Sequence, residues 1–531
     1  MGNVEEGQSV RAGTWDKSVV LVSIPNRVLL LPNMHAEIQA CIPHARMFKQ
    51  YLVVPHKIQE TTILRNLGLN APSPIETQYK WPGRYKPFAH QIVTAAFLTL
   101  NPRAFVLNDI GTGKTLSAYW AADYLMRQGL VRRVLVVSPL STLERVHGDA
   151  LYQNFPNRSF TVLHGSAAKR KQLAQADFDF YIINHDGVEV IARTLAERAD
   201  LDLVIIDELA AYRNGTTARW KALRGILRPD QRVWGMTGTP TPNEPTDAYA
   251  QVKLIRPGVV GEYSSFTAFK MATMTKVSMF KFAPKPDAMD RVHAIMQPAI
   301  RFGRDECLDL PECLTEMRSV DLTPAQRKAY TEMMKALVTQ VGEGKVTALN
   351  EAIKLMRLMQ IVSGVAYDEK AEHLQIDCAP RLRVLKEIIE EAGQKVIVYV
   401  PFQGNLELLQ KEISKYVSCA MVYGQTPTKE RNETFYQFQN KPNPRVLIAQ
   451  PACMSHGLNL QEASTIVWWA PVNSNDIYTQ ANGRMNRAGQ KNAMTVFHLA
   501  STEIERNVYK RLETKEKLQG VLLDMVESQD K

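Results

Sequence analysis

This sequence predicts an α/β fold built from two parallel-sheet units, and three observations carry the prediction. Strand-like apolar runs alternate with helical segments over residues 85–257, and the same alternation resumes over 381–515. Three of the runs in the first stretch end at polar motifs. Between the two stretches, over 258–380, the strand signal fades and helical segments at 323–341 and 350–362 take over with proline-rich breaks, which reads as a helical, basic insertion and linker.

The elements follow in order. Residues 18–32 read SVVLVSIPNRVLLLP, two β-branched and aliphatic runs split by Ile24-Pro25-Asn26-Arg27, so the first 80 residues are expected to form a small β-containing accessory element. The Pro- and Gly-rich stretch from Ala71 to Gly83 reads as linker. Residues 104–107 predict a short strand, 115–127 a helix with Gly129 as its C-terminal cap, and 134–138 and 203–207 buried strands. KVIVYV at 395–400, RVLIAQ at 445–450 and STIVWWA at 464–470 supply the strands of the second unit, with Trp468 and Trp469 expected in its core. Residues 516–531 are left as a tail.

Composition narrows the class of function. The chain has 531 residues, 45% apolar and 22% charged, which are globular values that exclude collagen-like and mostly disordered chains. No apolar run reaches the roughly 18 residues of a membrane span, and the first residues carry neither a secretory nor a myristoylation pattern, so a soluble intracellular protein without a membrane partner is expected. Six cysteines lie scattered without a CxxC pair, which supports neither a disulfide framework nor a zinc module. The formal charge of +10 tilts the choice of partner toward polyanions.

The sharpest chemistry begins at Asn108-Asp109-Ile110-Gly111-Thr112-Gly113-Lys114-Thr115, which follows a predicted strand and opens a predicted helix, the context of a phosphate-binding loop. Gly111 and Gly113 let backbone N–H groups turn toward phosphate oxygens, Lys114 reaches the outer phosphates, and Thr115 offers Mg²⁺ a hydroxyl. Asn108 stands where the consensus has glycine. Ninety-three positions after Lys114, the run Leu203-Val204-Ile205-Ile206 delivers Asp207 and Glu208 at a strand end. Asp207 is placed to hold Mg²⁺ through water, and Glu208 to orient and deprotonate the water that attacks the γ-phosphate. Met236-Thr237-Gly238-Thr239-Pro240 follows another strand, its threonines suited to relaying hydrogen bonds. Far along the chain come Gly457-Leu458-Asn459-Leu460-Gln461-Glu462-Ala463 and then Gln480 to Gln490, where Arg484 and Arg487, three apart on a predicted helix, share one face. Their guanidinium groups suit the charge that develops on a transferring phosphoryl group.

This ordered series resembles the superfamily 2 helicase-like ATPases, and within them the Swi/Snf branch of double-stranded DNA translocases, over about residues 85–515. The resemblance implies two tandem RecA-like, P-loop NTPase lobes, one at 85–257 and one at 381–515, with ATP and Mg²⁺ bound between them. It implies that Gln91, in Pro87-Phe88-Ala89-His90-Gln91, contacts the adenine and that Gly111, Thr112, Gly113, Lys114 and Thr115 bind the phosphates. Lys114, Asp207, Glu208, Arg484 and Arg487 become the catalytic set, and Thr237, Gly238, Thr239, Gly457 and Gln480 the coupling set. Two positions depart from the branch: motif II reads Asp207-Glu208-Leu209-Ala210, with no histidine at its fourth place, and Val146 stands near where an aromatic follows motif Ia, here Ser138-Pro139-Leu140.

Contacts to nucleic acid are less marked. Lys270, Lys276, Lys281 and Lys285 lie among four phenylalanines with no acid between Phe266 and Pro286, either a nucleic-acid-facing insertion or a solvated basic loop anchored by core rings. Lys169-Arg170-Lys171 reads as a solvated cluster. The expectation is therefore a DNA-dependent ATPase that translocates along double-stranded DNA and remodels DNA or bound protein. The alternatives are a strand-separating DNA or RNA helicase and a nucleotide-gated clamp without turnover. The N-terminal element is the candidate for a protein partner. The cytoplasm of a bacterium or of an infected host cell, or the nucleus of a eukaryote, is the expected compartment.

Overall fold

The structure, a computed structural model, describes residues 20–32, 36–258, 263, 265–277, 282–307, 311–342, 348–367, 373–454, 460–487 and 490–514. The chain forms two compact units, the first comprising Met1–Asp109 and Gly113–Gly303 and the second Arg304–Lys531 with Ile110–Thr112.

The first unit opens with strands β1 (Leu21–Ser23), β2 (Val28–Leu31), β3 (Arg46–Phe48) and β4 (Tyr51–Pro55), an antiparallel sheet of order β1-β2-β4-β3. Alternation buries Leu29, Leu31, Leu52 and Val54 on one face, where Ile38 and Leu64 of the flanking helices Ala36–Cys41 and Ile58–Asn66 cover them. The expected 71–83 linker is instead folded and packed. Ser73 caps a short helix, Pro74–Gln78, with reciprocal bonds to Glu76, and its hydroxyl lies 2.8 Å from that of Thr99. Ile75 is fully buried and Trp81 packs edge-on against Tyr79 and Trp120. A capping box and two aromatic rings outweigh the prolines that suggested a linker.

Seven strands then build the central sheet: β5 (Arg103–Val106), β6 (Arg133–Ser138), β7 (Phe160–Val162), β8 (Phe180–Asn184), β9 (Leu201–Asp207) and β10 (Arg232–Met236), followed, past the two-stranded ribbon β11 (Met274–Lys276) and β12 (Phe282–Pro284), by β13 (Ala299–Ile300). Their order is β13-β5-β10-β9-β6-β8-β7 and every pairing is parallel. The continuous apolar runs reflect burial on both faces. Leu135, Val137, Val204 and Ile206 enter one core, while Val134, Val136, Leu203 and Ile205 enter the other. The helix Lys114–Arg127 ends as expected, with Gly129 at φ +72° and Leu130 N–H reaching back to the Leu125 carbonyl at 2.9 Å.

The second unit contains β14 (Cys313–Ser319), the hairpin β15 (Val365–Tyr367) with β16 (His373–Gln375), and β17 (Lys395–Tyr399), β18 (Cys419–Val422), β19 (Val446–Ala449), β20 (Ala463–Trp468) and β21 (Met494–Ala500). Its main sheet is again all parallel, ordered β14-β21-β20-β17-β19-β18. Trp468 and Trp469 are fully buried on opposite faces, one in each of the two cores. The helices Pro324–Gly342 and Ala348–Ser363 match the helical segments read from the sequence. The stretch 258–380 also contributes an edge strand to each sheet, β13 to the first and β14 to the second. Its periodicity hid these because β13 is two residues long and the β14 side chains are largely exposed. No helix among the described residues is long and apolar enough to cross a membrane.

Candidate active site of the first unit

Sheet register assembles this site. β10 lies between β5 and β9, and its last residue, Met236, pairs with Val106 on one side and Asp207 on the other. The loops that leave these three strands, carrying the phosphate loop, Asp207-Glu208 and Thr237-Gly238-Thr239, therefore start side by side at the C-terminal edge of a parallel sheet, where α/β folds bind ligands.

The phosphate loop turns on two left-handed glycines, Gly111 at φ +90° and Gly113 at φ +79°. Lys114 opens the following helix and its ammonium donates to the carbonyls of Asn108 at 2.8 Å and Asp109 at 3.1 Å, so the cation lies over the loop. Asn108, the departure from the consensus, is almost wholly buried and acts as a strut. Its amide donates to Thr94 Oγ1 at 3.0 Å and its Oδ1 accepts from Phe302 N–H at 3.1 Å. Glycine would lose both ties. Gln91 is buried against the loop, its Oε1 accepting from Phe88 N–H at 2.9 Å and its Nε2 donating to the Gly113 carbonyl at 3.5 Å. A methyl group at Gly113 would stand 2.0 Å from that Nε2. Gly113→Ala is thus expected to strain the backbone by about 1–3 kcal/mol and to displace Gln91. Titration with a fluorescent ATP analogue should show at least a tenfold loss of affinity, and unchanged affinity would remove Gln91 and Gly113 from the binding site.

The carboxylates are held by a network. Asp207 Oδ1 accepts from Glu208 N–H at 3.1 Å, and Oδ2 lies 3.1 Å from His147 Nε2. His147 is fully buried, and its Nδ1 meets the Tyr119 hydroxyl at 2.7 Å. Burial, with the Asp207 charge adding to it, raises the Tyr119 phenol well above its ordinary range, so Tyr119 keeps its proton. Glu208 adopts a left-handed backbone at φ +54°, an uncommon conformation for a non-glycine residue. Its Oε1 accepts from Thr237 Oγ1 at 3.0 Å, and Thr237 Oγ1 in turn accepts from Thr239 N–H at 3.2 Å. Two hydrogen bonds thus run from Thr239 N–H through Thr237 Oγ1 to Glu208, with Gly238 between the two threonines.

The donor set fits magnesium. Thr115 and Asp207 offer hard oxygen atoms, and among the described residues no group of three or more His, Cys, Asp or Glu side chains forms an all-protein cage. An ion held by one or two protein oxygens together with a nucleotide's phosphates requires no such cage.

In the second unit Gln480 lies in the helix Asn475–Asn482 and donates to Asp476 Oδ1 at 2.9 Å. Arg484 and Arg487 do not lie on that helix, contrary to the sequence reading. The helix stops at Asn482 because Trp468 Nε1 donates to its Oδ1 at 3.0 Å, Gly483 follows, and Leu460 N–H captures the Arg484 carbonyl at 3.1 Å. Arg484 is buried in the ensuing turn and Arg487 partly buried. Gln490 Nε2 ties the segment to the Gln461 and Ala463 carbonyls at 3.1 and 3.0 Å. Gly457 lies outside the described residues.

Of the four lysines considered for nucleic acid, Lys270 stacks over the Phe282 ring at 3.9 Å and Lys285 donates to the Met271 carbonyl at 2.7 Å. Lys276 is exposed on β11, and Lys281 lies outside the described residues. Phe269 is buried in the core of the first unit. Sequence reasoning missed His147 and Tyr119, which no motif spacing connects to Asp207.

Comparison with known families decides what this arrangement belongs to. A family described as SNF2-related domain matches residues 97–368, and one described as helicase conserved C-terminal domain matches residues 380–489. The chain belongs to the SNF2 family. This SNF2 protein is accordingly an ATP-hydrolysing enzyme, and each of its two α/β units is built on a parallel sheet. It is similar to protein p41 of Acyrthosiphon pisum secondary endosymbiont phage 1, at 25% identity over 83% of this chain and 98% of the relative. It is also similar to the SWI/SNF-related matrix-associated actin-dependent regulator of chromatin subfamily A-like protein 1 of Xenopus laevis, at 22% identity over 79% of this chain but 42% of the relative.. The ATP-dependent DNA helicase DDM1 of Arabidopsis thaliana shares 22% identity over 78% of the chain and 58% of its own length. The SWI2/SNF2 ATPase core of Sulfolobus solfataricus, solved with double-stranded DNA, aligns over 82% of this chain and 92% of its own at 22% identity and a TM-score of 0.41. The SNF2 chain thus spans 42% and 58% of the length of the two eukaryotic relatives named here.

Proposed function

We propose that this SNF2-family ATPase couples hydrolysis of Mg²⁺-ATP to translocation along double-stranded DNA, remodelling DNA or bound protein as it moves. The reading is carried by one observation: the phosphate loop, the Asp207-Glu208 pair and the Thr237–Thr239 relay leave three adjacent strands in register. Gln91 would contact the base, Gly111 to Thr115 the phosphates, and Thr115 with Asp207 the magnesium ion. When bound, that ion neutralises phosphate charge. Glu208 would take the proton of the attacking water, and Arg484 and Arg487 of the second unit would neutralise charge on the phosphoryl group in transfer. Gly457 and Gln480 would couple nucleotide state to movement of that unit. The net charge of +10 and the DNA-acting relative among those named support a DNA partner. Of the described lysines between Phe266 and Pro286, exposed Lys276 would meet a phosphate backbone most readily.

The test is ATP hydrolysis measured without nucleic acid and with single-stranded DNA, duplex DNA and duplex RNA, beside Lys114→Ala and Arg487→Ala. Selective stimulation by duplex DNA, lost in both variants, is expected, followed by displacement of a triplex strand. Stimulation mainly by single strands or RNA would favour a strand-separating helicase. Binding of ATP without turnover under every condition would leave the nucleotide-gated clamp.

A further inference from the structure

We propose that His147 is a positioning residue of the ATPase site, its imidazole fixing the Asp207 carboxylate in the orientation that receives the metal ion. The proposal rests on the reading of Asp207 as a magnesium ligand and adds a residue that no motif assigns. Four observations converge on it.

His147 is fully buried yet makes polar contacts through both ring nitrogens, Nε2 to Asp207 Oδ2 at 3.1 Å and Nδ1 to the Tyr119 hydroxyl at 2.7 Å. Because the Asp207 carboxylate oxygen can only accept, the imidazole proton that points at it is on Nε2, and Nδ1 is left to accept from the Tyr119 hydroxyl. A second partner that selects the tautomer is the arrangement by which outer residues orient a metal-binding side chain. Secondly, the histidine sits in a π-helical turn, Leu143–Gly148, that follows β6, the strand beside β9. Such turns are rare and concentrate at functional positions, because the inserted residue redirects one side chain. Thirdly, Tyr119 lies one helical turn after Thr115 in the helix Lys114–Arg127, so the two share a face. The chain Tyr119–His147–Asp207 therefore links the helix that carries one proposed metal oxygen to the strand end that carries the other. Finally, motif II has Ala210 at its fourth place, so the imidazole beside this carboxylate comes from 60 residues earlier in the chain.

The other carboxylate oxygen is bonded to the backbone N–H of Glu208 at 3.1 Å. Removing His147 would leave that contact, so Asp207 should remain present but rotate more freely. The expected defect is in metal use rather than in nucleotide binding as such.

The experiment uses the full chain with His147→Phe, His147→Gln and Tyr119→Phe. Three quantities are read: the melting temperature, the affinity for a fluorescent ATP analogue in EDTA and in Mg²⁺, and the Mg²⁺ concentration giving half-maximal hydrolysis. His147→Phe should raise the Mg²⁺ midpoint about tenfold and diminish the gain in nucleotide affinity on adding Mg²⁺, while affinity in EDTA stays within about twofold. His147→Gln, which can still donate to Asp207, should recover part of the loss, and Tyr119→Phe should move the midpoint the same way by a smaller factor. If His147→Phe does not fold, the other two variants carry the test. An unchanged Mg²⁺ midpoint in every folded variant, or equal losses of melting temperature and EDTA-state affinity with no change in the midpoint, would overturn the proposal. Failure of the underlying site reading looks different: Lys114→Ala would then hydrolyse ATP at the wild-type rate.

Discussion

Glu208→Gln is expected to bind ATP with near wild-type affinity and to hydrolyse it about 10²–10⁴-fold more slowly, the usual contribution of a positioned general base. The substitution keeps the size of the side chain and an oxygen able to accept from Thr237 Oγ1, which now lies 3.0 Å from Glu208 Oε1. It removes the proton acceptor alone. The left-handed backbone at φ +54° is equally accessible to glutamine, so the fold should be indifferent to the change. Single-turnover hydrolysis measured beside equilibrium nucleotide binding separates the two effects. Loss of binding in proportion to rate would mean that Glu208 shapes the pocket instead of activating water, and a rate within threefold of wild type would remove it from the chemistry.

Glu505→Ala is expected to destabilise the second unit by about 3–5 kcal/mol, the cost of leaving a buried charge without its counterion. Arg381 and Glu505 are both essentially inaccessible, and the guanidinium donates to Glu505 Oε1 at 2.7 Å. Arg381 also donates to the Trp469 carbonyl and to Ser501 Oγ. Glu505 Oε2 accepts from the backbone N–H groups of Ser501 at 2.7 Å and Thr502 at 3.1 Å, closing the start of the helix Glu503–Thr514. One carboxylate thus serves as helix cap and as counterion for a residue of the helix Ala379–Glu391. Denaturant unfolding should show the loss in the transition of the second unit, and pairing Glu505→Ala with Arg381→Leu should recover much of it by removing the stranded cation. A midpoint unchanged by Glu505→Ala would mean that water reaches and solvates Arg381.

Both results bear on parts of the protein that were unequally legible in its sequence. The phosphate loop, the Asp207-Glu208 pair and the strands that present them follow from local rules: continuous apolar runs mark strands buried on both faces, and glycines mark the turns that backbone amides need. The reading of Trp468 and Trp469 as core follows from the same rule, since their run is apolar on both sides of the pleat. The arginine segment was misjudged locally because its helix is ended by contacts from elsewhere, Trp468 to Asn482 and Leu460 to Arg484. The Ala71–Gly83 stretch was misread in the same way, its prolines suggesting a linker where Ser73, Tyr79 and Trp81 pack.

By itself the sequence determined two α/β units and the placing of the glycine, carboxylate and threonine motifs at strand ends, because strand periodicity and loop chemistry act over a few neighbouring residues. Tertiary structure alone decided that β10 lies between β5 and β9, that Asn108 braces the phosphate loop, and that His147 and Tyr119 stand behind Asp207. Those facts depend on strand order and on contacts between residues 14 to 194 positions apart, where hydrogen-bond geometry is set by packing and leaves no periodic trace along the chain.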